Sequence, residues 1–144
     1  MIGLVVTGHA HFATGMQSSI ELIAGAAENV KYVDFPGDST EELKANQIQA
    51  MKELKDCDGV LVMADLVGGS PFNNAVESKM MCADQKIEVL AGANLGMLIE
   101  AVSNMEDYTD PAAFADELIE TGKDCIARYV MVDRADDEED EDGI

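Results

Sequence analysis

The 144-residue sequence is poor in positive charge and contains no tryptophan. Only nine lysines and arginines accompany 29 aspartates and glutamates, which gives a formal net charge of −20. A surface this acidic repels the phosphate backbone of nucleic acids, so we do not expect nucleic acid as a partner. A basic protein surface is a better match, and the charge alone also favours solubility.

Cysteines and long apolar runs are also scarce. The three cysteines, Cys57, Cys82 and Cys125, are odd in number and no two have C-x-x-C spacing. This argues against a disulfide framework or a zinc site and favours reduced, buried thiols. No run approaches the roughly 18 apolar residues of a membrane span, and no charged leader opens the sequence. We therefore expect a cytoplasmic protein.

The length and composition predict one globular domain followed by an acidic tail. Hydrophobic residues make up 47% of the chain, and single domains usually have about 100–150 residues. The last stretch, "DRADDEEDEDGI", carries eight acids and one arginine and has almost nothing to bury. We assign residues 1–132 to the domain and residues 133–144 to a tail predicted to be disordered.

Strand and helix patterns alternate along the domain. Apolar segments rich in β-branched residues predict strands over residues 2–7, 30–35, 59–64 and 87–92. Helical spacing and capping residues predict helices over 13–29, 39–55, 71–82 and 95–105, and from Asp110 to Gly122. Residues 124–132 fit either a last strand or an extension of that helix. The alternation predicts an α/β fold with a doubly wound, mostly parallel sheet.

A sheet of this kind places two loops of the chain at the position where ligands bind. If the strand order is 2-1-3-4, it reverses between the first and third strands, and ligands bind at that point beyond the carboxyl ends. The loops that meet there are "TGHAH" and "DLVGGSPF".

The second loop has the composition of an anion-binding turn. Gly68 and Gly69 let the backbone approach a ligand, Ser70 suits an N-cap and Pro71 suits the first helical position. The free N–H groups of that helix start would bind an anion without a basic side chain. An ordinary strand-to-helix turn has the same composition. The Gly-Lys-Ser/Thr of a nucleotide-binding loop is absent from "GGSPF".

The first loop contains both histidines of the chain, His9 and His11. His9 ends the first strand and Asp65 ends the neighbouring third strand, so Asp65 could hold the Nδ1–H of His9 and leave Nε2 free as a nucleophile. A purely structural His–Asp pair would look the same. With the anion-binding turn opposite, the residues predict a phosphoryl-accepting histidine, with Asp65 as its orienter and Gly68, Gly69 and Ser70 around the phosphate. This chemistry needs no metal or other cofactor.

Other functions fit parts of the same pattern. His11 fits a rim residue that contacts a partner or a plain solvated side chain. His9, His11 and Asp65 could instead form the metal site of a hydrolase, although zinc sites want three protein ligands and no other third ligand is evident. A receiver module would need acids after the first strand and a lysine after the fourth, and neither is present at those positions.

The motifs "GLVVTGHAHFATG" and "DLVGGSPFNNA" resemble the IIA proteins of the mannose family of the bacterial sugar phosphotransferase system. The resemblance extends over nearly the whole chain before the acidic tail, with "DFPGDST" and "VLAGANLGMLIEA" in the expected order. At Ala10 and His11 the chain departs from the mannose-type pattern, where an aromatic residue is expected two positions after the histidine. A carrier that feeds a dihydroxyacetone kinase also begins with a strand-end histidine, but "GGSPF" favours the sugar system.

The resemblance implies a mechanism, partners and an assembly. His9 would accept a phosphoryl group from the phosphocarrier HPr and pass it to a IIB component, with the membrane components IIC and IID engaged indirectly. Asp65 would orient His9, and Ser70 would lie beside the phosphoryl group. The family fold has a parallel sheet in the order 2-1-3-4. Its members are homodimers that exchange a C-terminal antiparallel edge strand, which would be residues 124–132 here.

Overall fold

The structure is a computed structural model that describes residues 1–133. Its strands are β1 (Ile2–His9), β2 (Val30–Phe35), β3 (Gly59–Ala64) and β4 (Ile87–Ala91). Its helices are α1 (Phe12–Ala24), α2 (Thr40–Glu53), α3 (Ser70–Met81), α4 (Leu95–Asn104) and α5 (Pro111–Asp124), and a 3₁₀ turn (Met105–Asp107) follows α4. None of the helices within these residues is long and apolar enough to cross a lipid bilayer.

The four strands form one parallel sheet in the order β2-β1-β3-β4, which confirms the predicted α/β fold and strand order. The central strands are buried on both faces. On β1, Leu4 and Val6 belong to the hydrophobic cluster beneath α1, α4 and α5, whereas Val5 belongs to the cluster beneath α2 and α3. This alternation, two residues per repeat, explains why the sequence of a doubly covered strand is continuously apolar.

The register of the sheet fixes where the two loops emerge. Thr7 of β1 lies opposite Ala64 of β3, and His9 lies opposite Phe35 of β2. His9 and Asp65 therefore leave the sheet next to each other at the point where the strand order reverses.

The end of β1 differs from its prediction in a way that separates the two histidines. The strand includes Gly8 and His9, and the backbone turns at Ala10, where φ is +48°. Gly8 is a glycine for packing, because a Cβ there would lie 2.4 Å from Cδ1 of Phe12. The strand therefore continues two residues beyond the predicted range of 2–7, and the turn follows His9.

Two predicted helix ends were also wrong. Helix α1 ends at Ala24, since Gly25 takes a φ of +82°. Helix α5 continues past Gly122 to Asp124, because Gly122 serves close helix packing: a Cβ there would lie 2.8 Å from Cε of Met97 on α4. Helix α2 begins one residue after its predicted start at residue 39, and the Ser39 hydroxyl caps it by accepting the N–H of Glu42 at 3.1 Å.

The segment after α5 has no regular secondary structure over residues 126–133, and its large apolar side chains are exposed. The exchanged edge strand predicted there stays a prediction. Cys125, at the end of α5, is an exposed free thiol, so the expectation of buried cysteines was wrong for this residue. The predicted acidic tail lies outside the described residues, apart from Asp133.

Candidate functional site

The ring of His9 lies between two supports at the carboxyl edge of the sheet. On one side is Phe35, with ring centroids 5.9 Å apart and planes inclined by 59°. On the other is the backbone of Gly69, so close that an added Cβ would be 2.7 Å from Cε1 of the imidazole. The His9 side chain keeps 43% of its surface exposed. The ring is thus held in place while one edge faces solvent.

Asp65 holds both the backbone and the ring of His9. Its Oδ2 lies 2.8 Å from Nδ1 of His9 and accepts the backbone N–H of His9 at 2.9 Å, while Oδ1 accepts the N–H of Leu66 at 2.8 Å. Because a carboxylate can only accept, the bond to Nδ1 requires the proton on that nitrogen. In the neutral ring, Nε2 then carries the lone pair.

The surroundings of Asp65 keep it ionised. Its side chain is only 11% exposed, and this burial by itself raises the pKa of the carboxyl. The backbone N–H and the ring of His9, together with the N–H of Leu66, more than offset the burial, so the pKa of Asp65 lies below its ordinary value. The orienting carboxylate is therefore present as an anion at neutral pH.

The turn opposite His9 presents a helix start. Gly68 has a φ of +78°, Gly69 is the N-cap of α3, and the first helical residues are Ser70 and Pro71. In the described part of the chain, the N–H of Ser70 meets no hydrogen-bond acceptor, and Pro71 has no N–H. The side chain of Asn73 donates to the carbonyl of Gly68 at 3.0 Å and fixes the turn.

Ser70 has a different position from the one predicted. It was expected to be the N-cap, but Gly69 takes that place and no side chain caps the helix. The hydroxyl of Ser70 is therefore not used to close the helix. A Cβ on Gly69 would be 3.5 Å from Nε2 of His9, so the free nitrogen lies beside this helix start. Such a start attracts an anion.

His11 belongs to a second, separate pair. Its side chain is 92% exposed, and its Nδ1 lies 3.3 Å from Oδ2 of Asp34 at the end of β2. Asp34 also accepts the backbone N–H of Thr14 at 3.0 Å and the Thr14 hydroxyl at 2.6 Å. Since the N-cap residue of α1 makes no side-chain cap bond, Asp34 caps that helix from the neighbouring strand.

Asp34 is also held ionised. Partial burial raises the pKa of its carboxyl, but the two bonds from Thr14 and the contact with His11 outweigh that effect, so the pKa lies below the ordinary value. The sequence reasoning missed Asp34 and Thr14. The available signal was the position of Asp34 at the end of the strand beside β1.

The structure does not bring His9, His11 and Asp65 together as a metal-dependent hydrolase would require. Each histidine pairs with its own carboxylate, because the turn at Ala10 directs His11 towards β2. Within residues 1–133, no three histidine, cysteine, aspartate or glutamate side chains converge closely enough to hold a metal ion. The residues present do not fit a metal centre, and the hydrolase hypothesis is not favoured.

Known proteins resemble this chain in both sequence and fold. A family model described as "PTS system fructose IIA component" matches residues 3–119. The mannose-specific EIIAB component of Escherichia coli K12 is 35% identical over 130 residues, which are 87% of this chain but only 38% of that protein's length. The fructose-specific EIIA component of Bacillus subtilis is 32% identical over 107 residues, covering 74% of this chain and 72% of that protein.

A solved structure agrees with these sequence matches. The phosphotransferase system component EIIA of Streptococcus agalactiae superposes with a TM-score of 0.79 at 34% identity, covering 89% of this chain and 97% of that one. These matches do not favour the alternative of a carrier for a dihydroxyacetone kinase. The chain belongs to the mannose/fructose family of IIA components of the sugar phosphotransferase system, which are phosphotransferases that carry a phosphohistidine.

Proposed function

We propose that Nε2 of His9 accepts a phosphoryl group from phosphorylated HPr and passes it to a IIB component. That component would in turn serve sugar uptake and phosphorylation by the membrane components IIC and IID. The observation that carries the proposal is the 2.8 Å contact between Asp65 and Nδ1 of His9, which leaves Nε2 as the free nitrogen beside the start of α3.

The phosphoryl group moves from the imidazole of the donor histidine to the imidazole of His9. The lone pair on Nε2 of His9 attacks phosphorus and forms a new N–P bond. The N–P bond of the donor histidine breaks, and its electron pair returns to the donor ring nitrogen. As the phosphoryl group adds positive charge to the His9 ring, the ionised Asp65 stabilises the imidazolium through the Nδ1–H bond.

Gly68, Gly69 and Ser70 have distinct roles in this proposal. The N–H of Ser70, unpaired in the described chain, and the Ser70 hydroxyl donate to the phosphoryl oxygens. Gly69 leaves room for the His9 ring, where a side chain would collide with it. Gly68 supplies the positive φ that sets the turn. Charge stabilisation and in-line positioning are what phosphoryl transfer requires of a protein.

The oligomeric state and the cellular location that we propose are those expected for the family. We propose that residues 1–132 form a cytoplasmic IIA domain that pairs as a homodimer by exchanging a strand formed after α5, within residues 126–132. Support comes from β4, which is a sheet edge within the described residues, and from exposed apolar side chains in that segment. These side chains are Ile126, Tyr129, Val130, Met131 and Val132.

Truncation after Asp124 tests the assembly. The intact chain is expected to elute as a dimer in size-exclusion chromatography with light scattering, and the truncated chain as a monomer. A truncated chain that remains dimeric, or an intact chain that is monomeric, contradicts the exchanged strand.

Incubation with phosphorylated HPr tests the carrier function. The wild-type protein and His11→Ala are expected to take up a phosphoryl group that is labile in acid and stable in base, whereas His9→Ala takes up none. Subsequent addition of a IIB component of the mannose family is expected to remove the label. Lack of uptake by the wild-type protein, or uptake by His9→Ala, refutes the proposal.

A further inference from the structure

A buried amide lies behind the candidate site, and its hydrogen bonds reach neither His9 nor Asp65. Gln47 of α2 has no exposed surface. Its Nε2 donates to the hydroxyl of Thr7 at 3.1 Å and to the carbonyl of Pro71 at 2.9 Å. The Thr7 hydroxyl in turn donates to the carbonyl of Val33 at 3.0 Å. One amide thus connects α2, the two strands β1 and β2, and the start of α3.

The other end of this amide has no partner. Oε1 of Gln47 is buried and accepts no hydrogen bond within the described chain. Turning the amide over would place this oxygen against the carbonyl oxygen of Pro71, so the observed orientation is the one that keeps the bond. An apolar side chain of similar volume would avoid burying an unpaired oxygen. Core packing alone therefore does not account for a glutamine at this position.

The two hydrogen bonds of Gln47 reach the two segments that carry the site, β1 with His9 at its end and the start of α3. Thr7 precedes His9 by two residues on β1, and Pro71 follows Gly69 by two residues at the start of α3. The gap between the His9 ring and the backbone of Gly69 is narrow, since a Cβ on Gly69 would be 2.7 Å from the ring. A small shift of α3 relative to β1 would change the distance from Nε2 to the helix start.

We propose that Gln47 is a positioning residue for phosphoryl transfer. By joining Thr7 to Pro71, it sets the separation between the imidazole of His9 and the first turn of α3. The inference rests on the proposed carrier function. Misplacing reacting groups by about 1 Å can lower a rate about 100-fold, so a fixed separation matters here.

The test compares Gln47→Met, which keeps the volume and removes the amide, with Gln49→Met. Gln49 lies on the same helix, and its side-chain amide donates only to Glu53 within the described chain. In single-turnover transfer from phosphorylated HPr, Gln47→Met is expected to lower the rate at saturating donor about 10- to 100-fold with an unchanged half-saturating concentration. Gln49→Met is expected to match the wild type.

A second substitution covers the case in which Gln47→Met does not fold. Thr7→Val removes the hydroxyl that Gln47 reaches and is expected to slow transfer in the same way, whereas Thr7→Ser keeps the hydroxyl and the rate. Wild-type rates in both folded Gln47→Met and folded Thr7→Val overturn the inference, while the carrier function stands. If the wild-type protein takes no phosphoryl group, the proposed function itself fails.

Discussion

Two histidine–aspartate pairs lie side by side at the carboxyl edge of the sheet, and they differ in what surrounds them. In both pairs, Nδ1 faces a carboxylate: at 2.8 Å between His9 and Asp65, and at 3.3 Å between His11 and Asp34. The hydrogen bonds of Asp65 hold His9 and the loop that faces it, whereas the strongest contacts of Asp34 hold helix α1. The same two residue types thus support a reactive ring in one place and a helix cap in the other.

The second nitrogen of each ring shows why only one pair is suited to phosphoryl transfer. Nε2 of His9 lies beside Gly69 and the start of α3, whereas His11 is almost fully exposed. A histidine–carboxylate contact is therefore not enough to identify a nucleophile. A binding site for the group to be transferred must face the free nitrogen.

Neutralising each aspartate in turn is expected to give the largest difference in transfer rate between the two pairs. Asp65→Asn should slow phosphoryl uptake by about 10²- to 10⁴-fold, because the amide no longer enforces the Nδ1–H tautomer or stabilises the imidazolium. Asp34→Asn is the matched control and should stay within about threefold of the wild type, since its contact with His11 is not used. Transfer from phosphorylated HPr measures both rates, and equal rates for the two variants would contradict the assignment.

The two glycines of the turn give the next largest contrast. In Gly69→Ala the new Cβ would be 2.7 Å from Cε1 of His9, so the ring must move and uptake should fall about 10- to 100-fold. In Gly68→Ala the Cβ meets open space, but the positive φ should lower the free energy of unfolding by about 1–2 kcal/mol.

Urea denaturation and transfer rates together check this pair of glycine variants. Gly69→Ala is expected to change the rate more than the stability, and Gly68→Ala the reverse. The opposite order would show that the His9 ring does not depend on the space at Gly69.

Removing the carboxylate of Asp34 should lower the stability of the fold and leave phosphoryl transfer unchanged. Asp34→Ala deletes the acceptor of the Thr14 N–H and is expected to lower the free energy of unfolding by about 0.5–2 kcal/mol, as loss of a helix cap does. Asp38→Ala, an exposed acid on the loop after β2, is the control and should change little. Urea midpoints decide between them, and equal midpoints would argue against the capping role.

The smallest expected effect is a pH dependence shared by both pairs. The pKa values of Asp65 and Asp34 are held below the ordinary value, so the stabilisation they provide is fully present above the unfolded-state pKa of about 3.9. It is lost as the pH falls through the lower folded-state values. The difference in urea midpoint between the wild type and Asp65→Asn should therefore shrink as the pH falls below about 4, and a difference that grows would contradict the sign of the shift.

Much of the fold follows from local patterns that the sequence shows directly. The apolar runs of β1 and β3 indicate strands covered on both faces, and the alternation with helices indicates a parallel sheet. The position of His9 and Asp65 at adjacent strand ends follows from that topology, because equivalent ends of parallel strands share one edge.

The features that the sequence did not reveal depend on contacts between distant segments. The turn at Ala10 uses a positive φ that alanine rarely adopts. Gly122 lies inside α5 and packs against Met97 of α4. Asp34 caps a helix 20 residues earlier in the chain, and Gln47 joins residues 40 positions before and 24 positions after it. No local sequence pattern identifies the partners of these residues, and for Asp34 the available signal is its position at the end of the strand beside β1.

The position of the phosphoryl group on the protein decides whether His9 is the acceptor. After transfer from phosphorylated HPr, ¹⁵N-edited NMR of the histidine side chains shows which ring and which nitrogen carry phosphorus. We expect a single phosphorylated nitrogen, Nε2 of His9, with Nδ1 still protonated and His11 unmodified. Phosphorus on Nδ1 of His9, or on His11, would contradict it.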